Sequence, residues 1–317
     1  MAKFLQLAPM QAMTDVHFMN THHKIFGGFN EMMAPYIMAA SNSPMKMQTM
    51  QKHFAELNNG ITLIPQLLSN DTDGFLYYAN MLYDLGFTKV NWNLGCPFPY
   101  VTKKQRGAGL LPFPDKINEI LENILPKLKP LLSIKIRLGL HGQNEIMPII
   151  DVLNRYPIAE TILHPRTAAQ KYEGMANKSF FAEIYPKFNM PVIYNGDIIN
   201  KGQVNEMENL FPDIKGYMIG RGAFINPFIT NQINGVEFTD AEKMDKYKEF
   251  YFALHNYYKK KTQTNLGFLG RMKDLWWYFS QSFHKGESYL FALKTINDIS
   301  AFEVVVNNIF ESGKLKV

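Results

Sequence analysis

The sequence predicts an α/β fold: a (β/α)8 TIM barrel followed by a C-terminal all-helical domain. Three observations carry this. Eight short apolar or β-branched runs recur at 4–10, 29–37, 61–68, 90–95, 132–138, 161–167, 191–198 and 216–222. Stretches with helical spacing lie between them, among them 71–85, 114–128, 145–155, 178–187 and 201–210. Parallel strands need covering crossovers, so this alternation implies a parallel sheet with helices outside it. Eight such units fit the roughly 250 residues typical of a (β/α)8 barrel. A doubly wound open sheet is the alternative, but it would usually show a Gly-rich dinucleotide turn after an early strand, and none is present. Beyond Asn234 the pattern turns purely helical, over 239–261, 269–283 and 288–310. The expected division is a barrel over 1–236 and a helical domain over 237–317.

Composition narrows the class without naming it. The 317 residues are 46% hydrophobic and 19% charged, as in an ordinary soluble globular protein. No run of eighteen uncharged apolar residues predicts a membrane span. The first nine residues are too short and polar a segment for a signal peptide. One cysteine and 18 methionines fit a reducing cytosol, so a cytoplasmic location is expected. Lys and Arg number 33 against 28 Asp and Glu, a net +5 that permits an anionic partner without requiring one. In the tail, Lys259, Lys260, Lys261, Arg271 and Lys273 interleave with Tyr257, Tyr258, Trp276 and Trp277. An amphipathic bundle with solvated lysines and an aromatic core explains most of these residues. A basic and aromatic surface for a polyanion is the sharper reading.

Chemistry in such barrels gathers at the C-terminal ends of the strands, and polar residues concentrate there. Strand three ends in Pro65-Gln66, and strand four in Asn93 and Cys96. Strand five carries Lys135 and Arg137, strand six His164 and Arg166. Lys135 and Arg137 are two apart and so share one face of their strand. Two cations in a barrel mouth are costly unless an anion meets them. Strands seven and eight end in Asn195-Gly196-Asp197 and Gly220-Arg221-Gly222, where barrels often bind a phosphate. Cys96, taken alone, reads as a small buried hydrophobe. Its neighbours at the strand ends raise the case for chemistry. A core role for His164, tied to a backbone carbonyl, stays open.

The chain resembles the tRNA-dihydrouridine synthase family, flavin enzymes that reduce uridine in tRNA. The matching stretches are Ala8-Pro9-Met10 with Thr14-Asp15, Pro65-Gln66-Leu67, Asn93-Leu94-Gly95-Cys96-Pro97 and Gly107-Ala108-Gly109-Leu110-Leu111. Further on come Lys135-Ile136-Arg137-Leu138-Gly139, His164-Pro165-Arg166-Thr167 with Gln170 and Tyr172, Asn195-Gly196-Asp197-Ile198, and Met218-Ile219-Gly220-Arg221-Gly222-Ala223. The resemblance implies FMN across the barrel mouth, with NADPH or NADH as reductant and tRNA as substrate. It places Pro9, Met10 and Gln11 along one side of the flavin, and Gln66 and Lys135 at the isoalloxazine edge. His164 completes that pocket with help from Arg166, while Asn195, Gly196, Asp197, Gly220 and Arg221 hold the phosphate. The helical tail, with a looser match at Arg271-Met272-Lys273, corresponds to the family's tRNA-binding domain. A monomer with no protein partner and no metal is expected.

Uracil's C5=C6 bond is conjugated to its C4 carbonyl, so hydride addition at C6 leaves charge on C5 and O4. A thiol of ordinary acidity is mostly protonated at neutral pH, which suits Cys96 as the acid that protonates C5. Asn93, Lys135 and Arg137 are candidates to bind the uracil carbonyls. Two departures from the family pattern stand out. Phe98-Pro99-Tyr100-Val101 replaces the usual segment with a lysine, and Pro165 stands where glycine is common. Three other readings compete: a flavin barrel reducing a small pyrimidine, a non-catalytic tRNA-binding protein, and a lyase using Lys135 as a Schiff base.

Overall fold

A computed structural model describes residues 3–42, 44–57 and 60–317. Met1 and Ala2, the start of the expected barrel segment, lie outside the described residues. Strand β1 (Phe4–Leu7) is followed by β2, which runs Glu31–Met33 and resumes at Ile37–Met38, and by β3, which runs Leu63–Ile64 and resumes at Gln66–Leu68. Then come β4 (Lys89–Leu94), β5 (Leu131–Gly139), β6 (Glu160–Thr167), β7 (Val192–Asn195) and β8 (Gly216–Ile219). The two interruptions contain Pro35 and Pro65, which have no N–H to give a ladder. Eight strands therefore appear as ten segments of one sheet.

Within the barrel the strand pairings are parallel, and they close a ring. β1 pairs with β8 at Phe4↔Gly216 and with β2 at Gln6↔Glu31. β2 meets β3 on both sides of the prolines, at Met32↔Leu63 and Ile37↔Leu67, and β3 passes to β4 at Gln66↔Asn91. The fold is the barrel and not the open sheet. Between β5 and β6 the register shifts after Arg137↔His164, resuming at Gly139↔Thr167. Pro165 lies in this bulge, where a residue without an N–H is tolerated.

Ala8, Met33, Ile64, Ile162, Ile193 and Met218 pack together as a cluster drawn from the strands. At the N-terminal ends Lys89 Nζ lies 2.6 Å from Glu31 and 3.0 Å from Glu160, and Lys215 pairs with Glu160 as well. Paired charges plug that end. Outside, Pro114–Ile124 shows how a covering helix forms: proline at its start, then Ile117, Ile120, Leu121 and Ile124 as the buried stripe. The helix Thr72–Asp84 is started by Asp71, whose carboxylate accepts the Gly74 N–H.

The tail is helical over Asp240–Lys261, Asn265–Phe279, Gly286–Thr295 and Ile299–Ser312. The single helix expected over 288–310 is corrected to two. Asp298 accepts the Ala301 N–H and caps a new helix, so the old one stops before it. Aromatic rings join tail to barrel: Phe250 lies 5.6 Å from Phe18 and 5.2 Å from Phe26. Arg271 donates to Asp15 at 3.1 Å and to the Tyr258 hydroxyl at 2.8 Å, pinning the tail to the loop after β1. No helix among the described residues is long and apolar enough to cross a membrane.

Candidate active site

A cavity of about 700 Å³ opens at the C-terminal ends of the strands. Fourteen of the fifteen residues singled out from the sequence line it: Pro9, Met10, Gln11, Gln66, Asn93, Cys96, Lys135, Arg137, His164, Asn195, Gly196, Asp197, Gly220 and Arg221. Arg166 does not.

The Cys96 loop is built on a ladder of amides. Ser133 accepts from Asn91, Asn91 from Gln66, and Gln66 from Asn93, at 2.8 to 2.9 Å. Asn93 Oδ1 then accepts the N–H groups of Gly95 (2.9 Å) and Cys96 (2.8 Å), folding the chain back at the strand end. With that oxygen committed, Asn93 offers a bound molecule only its remaining amide hydrogen. Cys96 is 6% exposed, against Leu68, Val101 and Tyr36. Burial pushes its thiol up, and the Phe98 amide, the Tyr36 hydroxyl and the charges of Arg137 and Lys135 pull the other way without cancelling it. The thiol is protonated at neutral pH.

Gly107 supports this loop from behind. Its φ of +54° suits glycine, and a Cβ there would meet Cys96 Cβ and the Cys96 carbonyl at 2.9 Å. Gly107→Ala is expected to lose about 1–2 kcal/mol in urea unfolding, from the left-handed backbone. It should also displace Cys96, seen as slower alkylation of the thiol.

Around the rest of the mouth, cations outnumber acids. Burial, with Arg137 beside it, pushes Lys135 down to about 7. Arg137 donates through Nε and Nη1 to the carbonyls of Gly95 (3.0 Å), Thr167 (2.9 Å) and Lys171 (2.8 Å), which ties the loops together. Arg166, 1% exposed, sits behind the wall. It donates to Asp197 at 2.6 Å, to the Gly174 carbonyl at 2.6 Å and to His164 Nε2 at 3.0 Å. Arginine can only donate, so Nε2 is the acceptor and the imidazole proton is on Nδ1. Burial, then the charges of Arg137, Lys135, Arg166 and Arg221, push His164 well below its ordinary value, leaving it neutral. Asp197 also binds Arg221 at 2.8 Å. Lys135, Arg137 and Arg221 line the cavity against one carboxylate, Asp197, which suits the mouth to an anion.

The sequence missed part of the wall. Tyr172 stands between two guanidinium groups, Arg221 at 4.8 Å and Arg137 at 5.5 Å from its ring centroid. Tyr36, and Trp277, Tyr278 and Gln281 from the tail, line the cavity too. Tyr172 lies in a stretch that carried the resemblance, and Trp277 in the basic and aromatic tail; Tyr36 had no signal.

Fold and site together define the class: a (β/α)8-barrel enzyme with a thiol and an anion pocket at its mouth. The chain belongs to the dihydrouridine synthase family, matching it over residues 6–311. A tRNA-dihydrouridine(16) synthase of Neisseria meningitidis serogroup B is 27% identical over 307 residues, covering 92% of this chain and 90% of that protein. A probable tRNA-dihydrouridine synthase of Rickettsia bellii is 28% identical over 286 residues, 86% of this chain and 85% of that one. Among solved structures, histamine dehydrogenase from Rhizobium sp. 4-9 matches with a TM-score of 0.57 at 10% identity. That match covers 74% of this chain but 45% of the other, and it speaks for the barrel alone.

Proposed function

We propose that this protein reduces a uridine in tRNA to 5,6-dihydrouridine, with FMN across the barrel mouth and NADPH or NADH as the electron source. The observation that carries the reading is a protonated thiol and an electropositive pocket lining one cavity, in a chain of the dihydrouridine synthase family. The pocket suits FMN in three respects. Its cations exceed its acids. Among the described residues, the N–H groups of Gly196, Asp197, Gly220 and Arg221 have no backbone acceptor. A side chain at Gly220 would meet Ala8 at 3.3 Å and Met10 at 3.8 Å, so glycine keeps that rim open.

When bound and reduced, FMN would supply the hydride that C6 of the uracil accepts. Cys96 gives its proton to C5. Lys135 and the free amide hydrogen of Asn93 donate to the uracil or ring-edge carbonyls, where charge develops. An anion beside Lys135 stabilises its charged form against the burial that lowers it. The neutral His164, with its proton on Nδ1, is a hydrogen-bond donor for the cofactor's edge. Arg166 acts at one remove, by holding His164 and Asp197.

The base leaves the RNA stack to reach this depth. Trp277, half exposed at the mouth, and Lys294, 4.4 Å from its ring centroid, offer stacking and charge to the RNA beside it. In this reading residues 1–236 form the catalytic barrel and 237–317 the tRNA-binding domain of a cytoplasmic monomer. The test is to map dihydrouridine in tRNA from cells with and without the gene. Loss of the base at one position in the deleted strain, restored by the gene, supports the reading; an unchanged map overturns it.

A further inference from the structure

We infer that Phe98 and Tyr100 form a stacking step for the nucleotide next to the target uridine, with Lys103 and Lys104 meeting its phosphates. The inference rests on the reading of tRNA as substrate and adds an RNA subsite at the cavity rim. Phe98 lines the cavity and is 42% exposed, while Tyr100 stacks beside it, outside the lining, and is 59% exposed. Their ring centroids are 5.8 Å apart and their planes 14° from parallel. Nearly parallel rings at that separation are displaced sideways, so each keeps an open face. Two residues of chain reach at most about 7 Å, which sets the Cα of Phe98 close beside that of Cys96. Both rings belong to the segment where this chain departs from its family.

The step is held from behind. The Tyr100 hydroxyl lies 3.0 Å from that of Tyr36, which packs with Leu68, Cys96 and Val101. Val101, 1% exposed, anchors the turn, and its N–H and that of Thr102 both donate to the Phe98 carbonyl, at 2.9 and 3.0 Å. Thr102 in turn is pressed on Gly109, where a Cβ would collide with the Thr102 carbonyl. Rings fixed in this way lose little freedom when a base stacks on them.

The charge around the rings suits the same occupant. No acidic residue occurs between Asp84 and Asp115. Lys103 and Lys104 are exposed, and neither is paired with a carboxylate among the described residues. Arg106 is held by Asn70 at 2.9 Å and by the Met38 sulfur at 3.1 Å, so it braces the loop instead. Exposed rings beside unpaired cations fit a single-stranded nucleotide, base on ring and phosphate on ammonium. Drawing the uridine into the cavity unstacks it from its neighbour, and the step replaces the stack that the neighbour loses. Stacking reads a face and not an edge, so the step sets the register of the strand without choosing the flanking base.

The test uses the flavin-loaded protein with Phe98→Ala, Tyr100→Ala and Tyr100→Phe, on a tRNA that the parent reduces. The same RNA is also made abasic at the nucleotide 5′ or 3′ of the modified uridine. Each alanine variant is expected to raise KM about tenfold, while Tyr100→Phe, which keeps the ring, stays within about threefold of the parent. One of the two abasic RNAs should show the same loss with the parent and no further loss with Tyr100→Ala. Replacing Lys103 and Lys104 together by alanine should reduce the log–log salt slope of binding by about two. Parental KM in both alanine variants, losses from variant and abasic RNA that simply add, or an unchanged salt slope overturns the inference. Flavin absorbance identifies a misfolded Phe98→Ala, and Tyr100→Ala, at the surface, then carries the test. A parent that forms no dihydrouridine in any tRNA instead removes the reading beneath it.

Discussion

Cys96→Ala should purify yellow, bind tRNA as the parent does, and form dihydrouridine about a hundred to ten thousand times more slowly. The size follows from removing a positioned proton donor while leaving the hydride donor and the pocket intact. Binding should survive because the sulfur is a small part of a large wall, and its amide, which Asn93 holds, remains in alanine. Flavin absorbance, a filter-binding curve and single-turnover product formation separate the three. A variant that keeps full turnover removes the thiol from the reaction.

The second large effect is on stability. Arg166→Met is expected to cost about 3 kcal/mol in urea unfolding, the lower end for breaking a buried pair by removing one partner. The lower end applies because Asp197 keeps Arg221 and the Ala176 N–H. Flavin retention should suffer as well, since His164 and Asp197 both lose their anchor. Burial alone would raise the Asp197 carboxyl, but hydrogen bonds from Arg166 and Ala176 and the charges of Arg166 and Arg221 hold it below its ordinary 3.8. A depressed carboxylate stabilises the folded state fully above that ordinary value and loses the contribution as pH falls through the lowered one. Acid unfolding of the parent should therefore be steeper below about pH 4 than that of Arg166→Met. Parallel acid titrations by circular dichroism would show it.

Much of this site was legible because barrel chemistry has an address. Strand ends could be read from apolar runs, and period-two alternation correctly put Lys135 and Arg137 on one face. The rule does not extend to Arg166. It is two residues from His164, but the bulge between them and β5 breaks the alternation, and Arg166 ends behind the wall. Arg137 lines the cavity too, with three of its five N–H donors engaged by the chain. No pattern announces that three loop carbonyls, at 95, 167 and 171, will take its donors. Tyr36 and Trp277 reach the cavity only through folding across long stretches of chain, which local periodicity does not encode. In the tail, the break before Asp298 was missed because the apolar spacing carries on through it.

The aromatic seam between barrel and tail has a thermodynamic corollary. One continuous apolar cluster runs from Leu5 to Phe310 without dividing at the boundary, and His22 is sealed inside it with no charge. Neither half can open without wetting rings that belong to the other. Heating should then melt the molecule in a single transition, and a fragment cut at the junction would expose a sticky face and aggregate.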